Sequence, residues 1–245
     1  MKKKMNDPGG TPQSIAAKTA GIGYFIMFVA AIFSNFIVRS DLIVAAAPAA
    51  TAANILAKET LFRTGIVTDL LFILPLDIVL AWALYLFFKP VERGLALLAA
   101  WFRVVYTGIY AAALLNQIIV LQLLTGDMVP AVFEAAQVDA LALLFLQSFD
   151  YGWMIGFVFF GLHLGVLAYL VFRSGFIPKV IGILLILAAI AYVADSCLRI
   201  LLSDYAQFEA LFQTMFSLPE FIGELLLFVW IFFRGGKMKT VELPA

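Results

Sequence analysis

One cysteine (Cys197) and one histidine (His163) are the chain's whole stock of the residue types that most often build structural metal sites. A single cysteine excludes an internal disulfide, and one histidine cannot assemble a His-rich or Cys-rich zinc centre. Carboxylates aided by His163 would be the remaining metal arrangement. Haem would find one axial ligand in His163, and nothing marks a second. Charge is scarce too, at 13% of residues, against about 25% in a soluble domain. The 16 basic and 16 acidic residues cancel, so no basic field would draw nucleic acid. No glycine-rich phosphate loop with its lysine occurs, no Gly-x-Ser-x-Gly elbow, and no serine clearly placed beside the histidine. No metal, cofactor or nucleic-acid partner is expected. Cys197 lies in an apolar segment and reads as a small buried hydrophobe.

What the chain has in excess is apolar surface. Hydrophobic residues make up 64% of it, and the mean hydropathy is +1.04. Such a chain has no watery surface to cover, so its solvent is lipid. The pattern predicts an all-α fold, an integral membrane bundle of six transmembrane helices. The spans run over 19–38, 64–88, 94–123, 152–172, 177–202 and 218–234; about 20 residues cross the hydrocarbon core, so the longer spans are expected to tilt or extend past the lipid. Two further segments, 130–149 and 204–216, are expected to lie on the outer surface as amphipathic helices. Glu134, Gln137 and Asp139 mark the first, and Phe208, Phe212 and Phe216 form one face of the second. Residues 1–14 read as a flexible cytoplasmic tail, 15–235 as the six-helix domain and 236–245 as a second cytoplasmic tail. The first span is too long for the 7–15-residue core of a cleaved signal, so it is expected to be retained.

Basic residues orient the bundle. Lys2, Lys3, Lys4 and Lys18 precede the first span, and Lys89 and Arg93 bracket the second connection. Arg173 and Lys179 bracket the fourth, and Arg234, Lys237 and Lys239 follow the last. These are alternate connections, so the positive-inside bias makes that side cytoplasmic, both termini included. The expected location is the cell membrane, with the lipid bilayer as partner.

Four ionisable groups lie deep in these spans. Asp77 is 12 residues before Lys89, or about 18 Å in. Arg103 is 10 residues after Arg93, His163 10 before Arg173 and Glu224 10 before Arg234, each about 15 Å in, close to the bilayer middle. Charge at this depth costs several kcal/mol and commonly marks a functional site. Spans two and three turn at Lys89–Arg93, so Asp77 and Arg103 are expected to face each other. Pro75 removes a backbone donor and predicts a kink beside Asp77. Arg103, Tyr106, Tyr110 and Gln117 share one face of span three and predict an inward polar stripe. Glu220 and Glu224 share a face of span six, and Asp195 and Arg199 have the spacing of an intrahelical ion pair. Gly161 and Gly165 flank His163 and permit a close helix neighbour. Asp150, Tyr151, Gly152 and Trp153 read as an outer interface.

Short phrases then add a resemblance. Asn54-Ile55-Leu56-Ala57, Leu61-Phe62-Arg63, Thr68-Asp69-Leu70-Leu71, Lys89-Pro90-Val91 and Leu97 to Arg103 are among them. So are Tyr151-Gly152-Trp153, Phe159 to His163, Arg173 to Pro178, Ala194-Asp195-Ser196 and Ile222-Gly223-Glu224. Together they resemble bacterial membrane proteins of the domain of unknown function 4386 family, over roughly residues 15–235. The resemblance implies a multi-pass inner-membrane protein and carries no activity.

Three functional readings follow. The first binds or moves a small molecule, lipid or ion. Asp77 and Arg103 anchor it, and His163, Glu224 and Glu220 respond to protons or cations. The second is structural: the buried charges only specify packing. The third is an intramembrane acid–base enzyme, with Glu224 or Asp195 as base and His163 as acid.

Overall fold

A computed structural model describes residues 12–126 and 132–235. They form α1 (Pro12–Ile32), a π-helical segment π1 (Phe33–Arg39), α2 (Ser40–Leu42), α3 (Pro48–Ala57) and α4 (Glu59–Thr68). A second π segment, π2 (Asp69–Ile73), leads into α5 (Leu74–Phe88). Then come α6 (Arg93–Thr125), α7 (Ala135–Ser174), α8 (Lys179–Leu201) and α9 (Tyr205–Arg234). No strand occurs among the described residues.

The helix ends follow from local chemistry. Pro48 opens α3 at its first position, where a missing N–H costs nothing. Pro90 cannot continue α5, and the Glu92 carboxylate then accepts the Leu95 N–H at 3.3 Å to start α6. The α7–α8 turn closes on Ser174. Its hydroxyl donates to the Val171 carbonyl at 2.8 Å and accepts the Ile177 N–H at 3.3 Å. Gly175 follows at φ +69°, a left-handed conformation suited to glycine.

Five stretches among the described residues are long and apolar enough to cross a membrane: Gln13–Leu42, Glu59–Phe88, Arg93–Thr125, Ala135–Ser174 and Lys179–Leu201. Helix α8 displays why. Ile181, Leu185 and Ala188 are buried on one face, while Val180, Ile183, Leu187 and Ile190 are exposed on the other. A helix apolar on both faces has lipid outside it. The predicted sixth span, 218–234, is helical within α9, but the side chains of 215–221 lie outside the described residues.

Several expectations are corrected. Segment 130–149 is not a separate surface helix. From Ala135 onward it is continuous with the predicted fourth span in one 40-residue helix, because Val138, Ala142, Leu146 and Phe149 have buried positions to fill. Pro130 lies outside the described residues. Segment 204–216 is likewise continuous with span six from Tyr205. The proline signal at Pro75 appears as a widened turn: the Leu74 N–H reaches back five residues to the Asp69 carbonyl. Cys197 is exposed, not a buried hydrophobe. Pro12 to Ser14, assigned to the tail, already belong to α1; the remainder of that tail and residues 236–245 lie outside the described residues.

The chain forms two compact units. Among the described residues the first takes 12–24, 78–104 and 157–235, and the second 25–77, 105–126 and 132–156. In the first, small residues let helices approach closely. A Cβ on Gly161 would stand 2.9 Å from the Ala189 carbonyl, and one on Gly223 would stand 2.9 Å from the Leu184 carbonyl. Phe87, Leu164, Leu167, Leu185 and Leu227 fill its interior. In the second, Val38, Leu42, Ile55, Phe62, Ile66, Leu114, Leu146 and Phe149 form a continuous core.

Candidate functional site

Arg103 is the centre of the first unit's polar interior. It is fully buried on α6. Its Nη1 donates to the Tyr24 hydroxyl at 3.2 Å and to His163 Nε2 at 3.4 Å. Glu224 Oε1 lies 3.7 Å from the same nitrogen. The guanidinium carbon also sits 5.3 Å from each of the Tyr24 and Phe160 ring centres, so its faces meet π clouds that favour a cation.

His163 is equally buried, and its contacts fix its tautomer. Nδ1 lies 2.8 Å from the Ala99 carbonyl, which can only accept. The proton is therefore on Nδ1, leaving Nε2 as the acceptor that faces the Arg103 donor. A neutral imidazole satisfies both contacts. His163 thus acts here as a prop for Arg103, and neither ring nitrogen contacts a carboxylate. The local sequence explains its placement. Gly161 sets α7 against α8 at Ala189 and Val193, and Phe160 packs on Tyr192 at 5.3 Å.

Arg103 and Glu224 have sharply different exposures. The arginine side chain is sealed, whereas that of Glu224 keeps 22% of its surface. A 3.7 Å separation also exceeds that of a hydrogen-bonded ion pair.

The other predicted residues are placed as follows. Asp77 is buried in the first turn of α5. Tyr106, Tyr110 and Gln117 are all buried, and the Trp153 indole donates to the Tyr106 hydroxyl at 3.1 Å. Trp153 is half-buried and packs against the second unit's core, while Tyr151 is exposed. Asp195 accepts from Arg199 Nε at 3.0 Å and from the Tyr205 hydroxyl, closing α8 against the start of α9. Glu220 is helical, and its side chain lies outside the described residues. No group of three or more His, Cys, Asp or Glu residues able to hold a metal ion occurs among the described residues.

The second unit holds a cluster that sequence reasoning missed. Arg39, the last residue of π1, forms an ion pair through Nη2 with Asp69 Oδ2, and Asp69 is the first residue of π2. Asn35 accepts from Arg39 Nη1 at 2.8 Å, and Tyr110 from Nη2 at 3.4 Å. With its amide oxygen turned inward, Gln117 accepts from Nε at 2.9 Å and Nη2 at 3.2 Å. The guanidinium lies 4.8 Å from the Phe149 ring and 5.9 Å from that of Trp153. The available signals were two opposite charges in apolar runs and the one-turn spacings Asn35–Arg39 and Phe149–Trp153.

The chain belongs to the family described as Domain of unknown function (DUF4386), whose model matches residues 19–235. It is similar to an uncharacterized protein of the archaeon Archaeoglobus fulgidus (strain ATCC 49558 / DSM 4304 / JCM 9628 / NBRC 100126 / VC-16), with 30% identity over 184 residues. That match covers 75% of this chain and 90% of the relative. This relative is archaeal, whereas the sequence resemblance implied a bacterial inner membrane. No solved structure matches the chain.

Proposed function

We propose that this DUF4386 member is a six-span cell-membrane protein with both termini cytoplasmic, and that Arg103 binds a small anionic ligand or ion in competition with Glu224. One observation carries the reading. A fully buried guanidinium contacts two neutral groups, Tyr24 and His163, and an acidic neighbour, Glu224, stands at 3.7 Å and stays part-exposed. A buried cation at this depth is costly unless neutralised, so Arg103 keeps an anion beside it. Glu224 is the anion that can yield, by taking a proton or by turning away on its part-exposed side. An incoming carboxylate or similar monoanion then takes its place, and the total charge of the site is unchanged. His163 and Tyr24 hold the guanidinium in one orientation throughout.

The test is flux through liposomes carrying purified wild-type protein or Glu224→Gln, with acetate, chloride and potassium as probes. Anion flux that depends on pH in wild type and loses that dependence in Glu224→Gln is expected. Identical behaviour of the two proteins with every probe refutes the reading.

A second reading is favoured by His163, whose ring is fully engaged. On that reading the cluster is a clasp that only fixes packing. It predicts that a folded Arg103→Leu/Glu224→Leu double variant leaves every flux unchanged. The acid–base enzyme is the least supported of the three, because His163 meets an arginine donor and a carbonyl, neither of which is a carboxylate.

A further inference from the structure

The cluster around Arg39 has the composition of a receptor for a cation. Four acceptors converge on one guanidinium: the Asp69 carboxylate, the Asn35 and Gln117 amide oxygens and the Tyr110 hydroxyl. Two aromatic faces, Phe149 and Trp153, complete the enclosure. Tyr110 packs on both rings at 5.8 and 5.3 Å and holds them in place. Acceptors plus ring faces are what guanidinium and ammonium groups seek. Here the occupant is the chain's own Arg39.

That occupant leaves the receptor incompletely used. Arg39 engages Asp69 end-on, through Oδ2 alone. Asp69 Oδ1 is buried and accepts no hydrogen bond among the described residues, although the residue is fully enclosed. A planar guanidinium normally grips both oxygens of a carboxylate with two parallel N–H bonds. An orphaned buried acceptor is costly, so the site has an unmet preference for a donor that reaches both oxygens.

The tether is also placed for release. Arg39 lies three residues before the end of its span at Leu42, and its side chain keeps 11% exposure. A long cationic side chain near a helix end can carry its head to water. Both partners sit on π turns: the Ser40 N–H reaches back to the Asn35 carbonyl and the Leu74 N–H to the Asp69 carbonyl. Widened turns of this kind are frequent at functional sites.

The geometry points to a binding site for small guanidinium or amidinium cations at Asp69, Tyr110, Gln117, Phe149 and Trp153, which Arg39 fills as an internal stand-in until a ligand displaces it. The ligand's charge replaces that of Arg39, so the site stays neutral, and its fork satisfies Asp69 Oδ1. This site involves none of the Arg103 residues and stands or falls independently of their role.

The experiment uses the full chain purified in detergent, with methylguanidinium as probe and tetramethylammonium at equal ionic strength as control. Binding is read by isothermal titration calorimetry and by tryptophan fluorescence, with Trp153→Phe assigning the signal. Wild type should bind methylguanidinium saturably. Arg39→Ala should bind it about tenfold or more tighter, because the internal competitor is gone. Asp69→Asn should abolish binding. If Arg39→Ala does not fold, Arg39→Lys serves in its place, since lysine keeps the charge but lacks the planar fork. Three results overturn the proposal: no saturable binding to wild type, undiminished binding to Asp69→Asn, or tetramethylammonium binding as well as methylguanidinium. Rescue of Arg39→Ala without binding to wild type also overturns it, because the enclosure then serves Arg39 alone.

Discussion

The two glycines that flank His163 should respond to the same substitution with opposite sign. Both lie inside α7, four residues apart, so alanine brings each the same helix-propensity gain, about 1 kcal/mol. Their surroundings differ. At Gly161 a Cβ would meet Val193 Cγ2 at 2.8 Å, the Ala189 carbonyl oxygen at 2.9 Å and Tyr192 Cβ at 3.3 Å. A backbone oxygen cannot rotate away, so α8 must retreat by roughly half an ångström to reach ordinary contact. Overpacking of this kind costs about 1–3 kcal/mol. At Gly165 the nearest atom is Ala189 Cβ at 3.8 Å, an ordinary contact. Gly161→Ala is therefore expected to be destabilised by about 1 kcal/mol, and Gly165→Ala to be stabilised by a similar amount. The propensity gain cancels in the difference between the variants, which reports helix packing alone. Equilibrium unfolding in mixed micelles, with SDS as denaturant and circular dichroism as signal, measures it. Equal stabilities within 0.5 kcal/mol, or a reversed order, would refute the close α7–α8 packing.

Other expectations are more local. Ala46 has φ 54°, so Ala46→Gly should relieve left-handed strain and stabilise by roughly 0.5–1 kcal/mol, while Gly175→Ala at φ 69° should destabilise by about as much; thermal melts compare the two. Tyr205→Phe removes the hydroxyl that holds Asp195, and should lower stability by about 1 kcal/mol and speed proteolysis at the α8–α9 turn. A double-mutant cycle on Arg103→Met and Glu224→Gln should return a coupling of about 1–3 kcal/mol; a coupling near zero would mean that the 3.7 Å pair is electrostatically idle.

Architecture was legible because lipid leaves a strong signature. A span must be continuously apolar and must close its own backbone hydrogen bonds, so composition alone gives helices and their approximate positions. The intrahelical Asp195–Arg199 pair was legible for a related reason, since its spacing is fixed by helix geometry. Where the helices of segments 130–149 and 204–216 begin and end was not. Glu134, Gln137 and Asp139 signal water at one end of a segment, and water is met both by a helix lying along a surface and by one projecting beyond it. Buried Val138, Ala142 and Leu146 decide for a continuous α7, and burial depends on neighbours that a single segment does not reveal.

The Arg39–Asp69 pair escaped for a geometric reason. Counting 1.5 Å and 100° per residue from the basic ends of the spans supposes an unbroken α-helix. Each π turn inserts about one extra residue, so beyond it the face assignment rotates by roughly one residue's angle and the depth shifts with it. Arg39 and Asp69 stand on the two π segments, where that count fails for both. They are also 30 residues apart, with three helical pieces between. Arg103 escaped this error because α6 contains no such turn, and its unbroken periodicity placed Tyr106, Tyr110 and Gln117 on one face, where all three are buried. The irregular turns that hid the Arg39 cluster also shape it. A wide turn leaves one carbonyl and one N–H more per turn to be satisfied, and side chains such as Asn35, which reaches the Ala31 carbonyl at 3.0 Å, take part in meeting that demand. Asn35→Leu should therefore weaken π1 as well as the grip on Arg39. Hydrogen exchange at the Ser40 amide would detect the loosened turn, and unchanged protection there would separate the turn from the cluster.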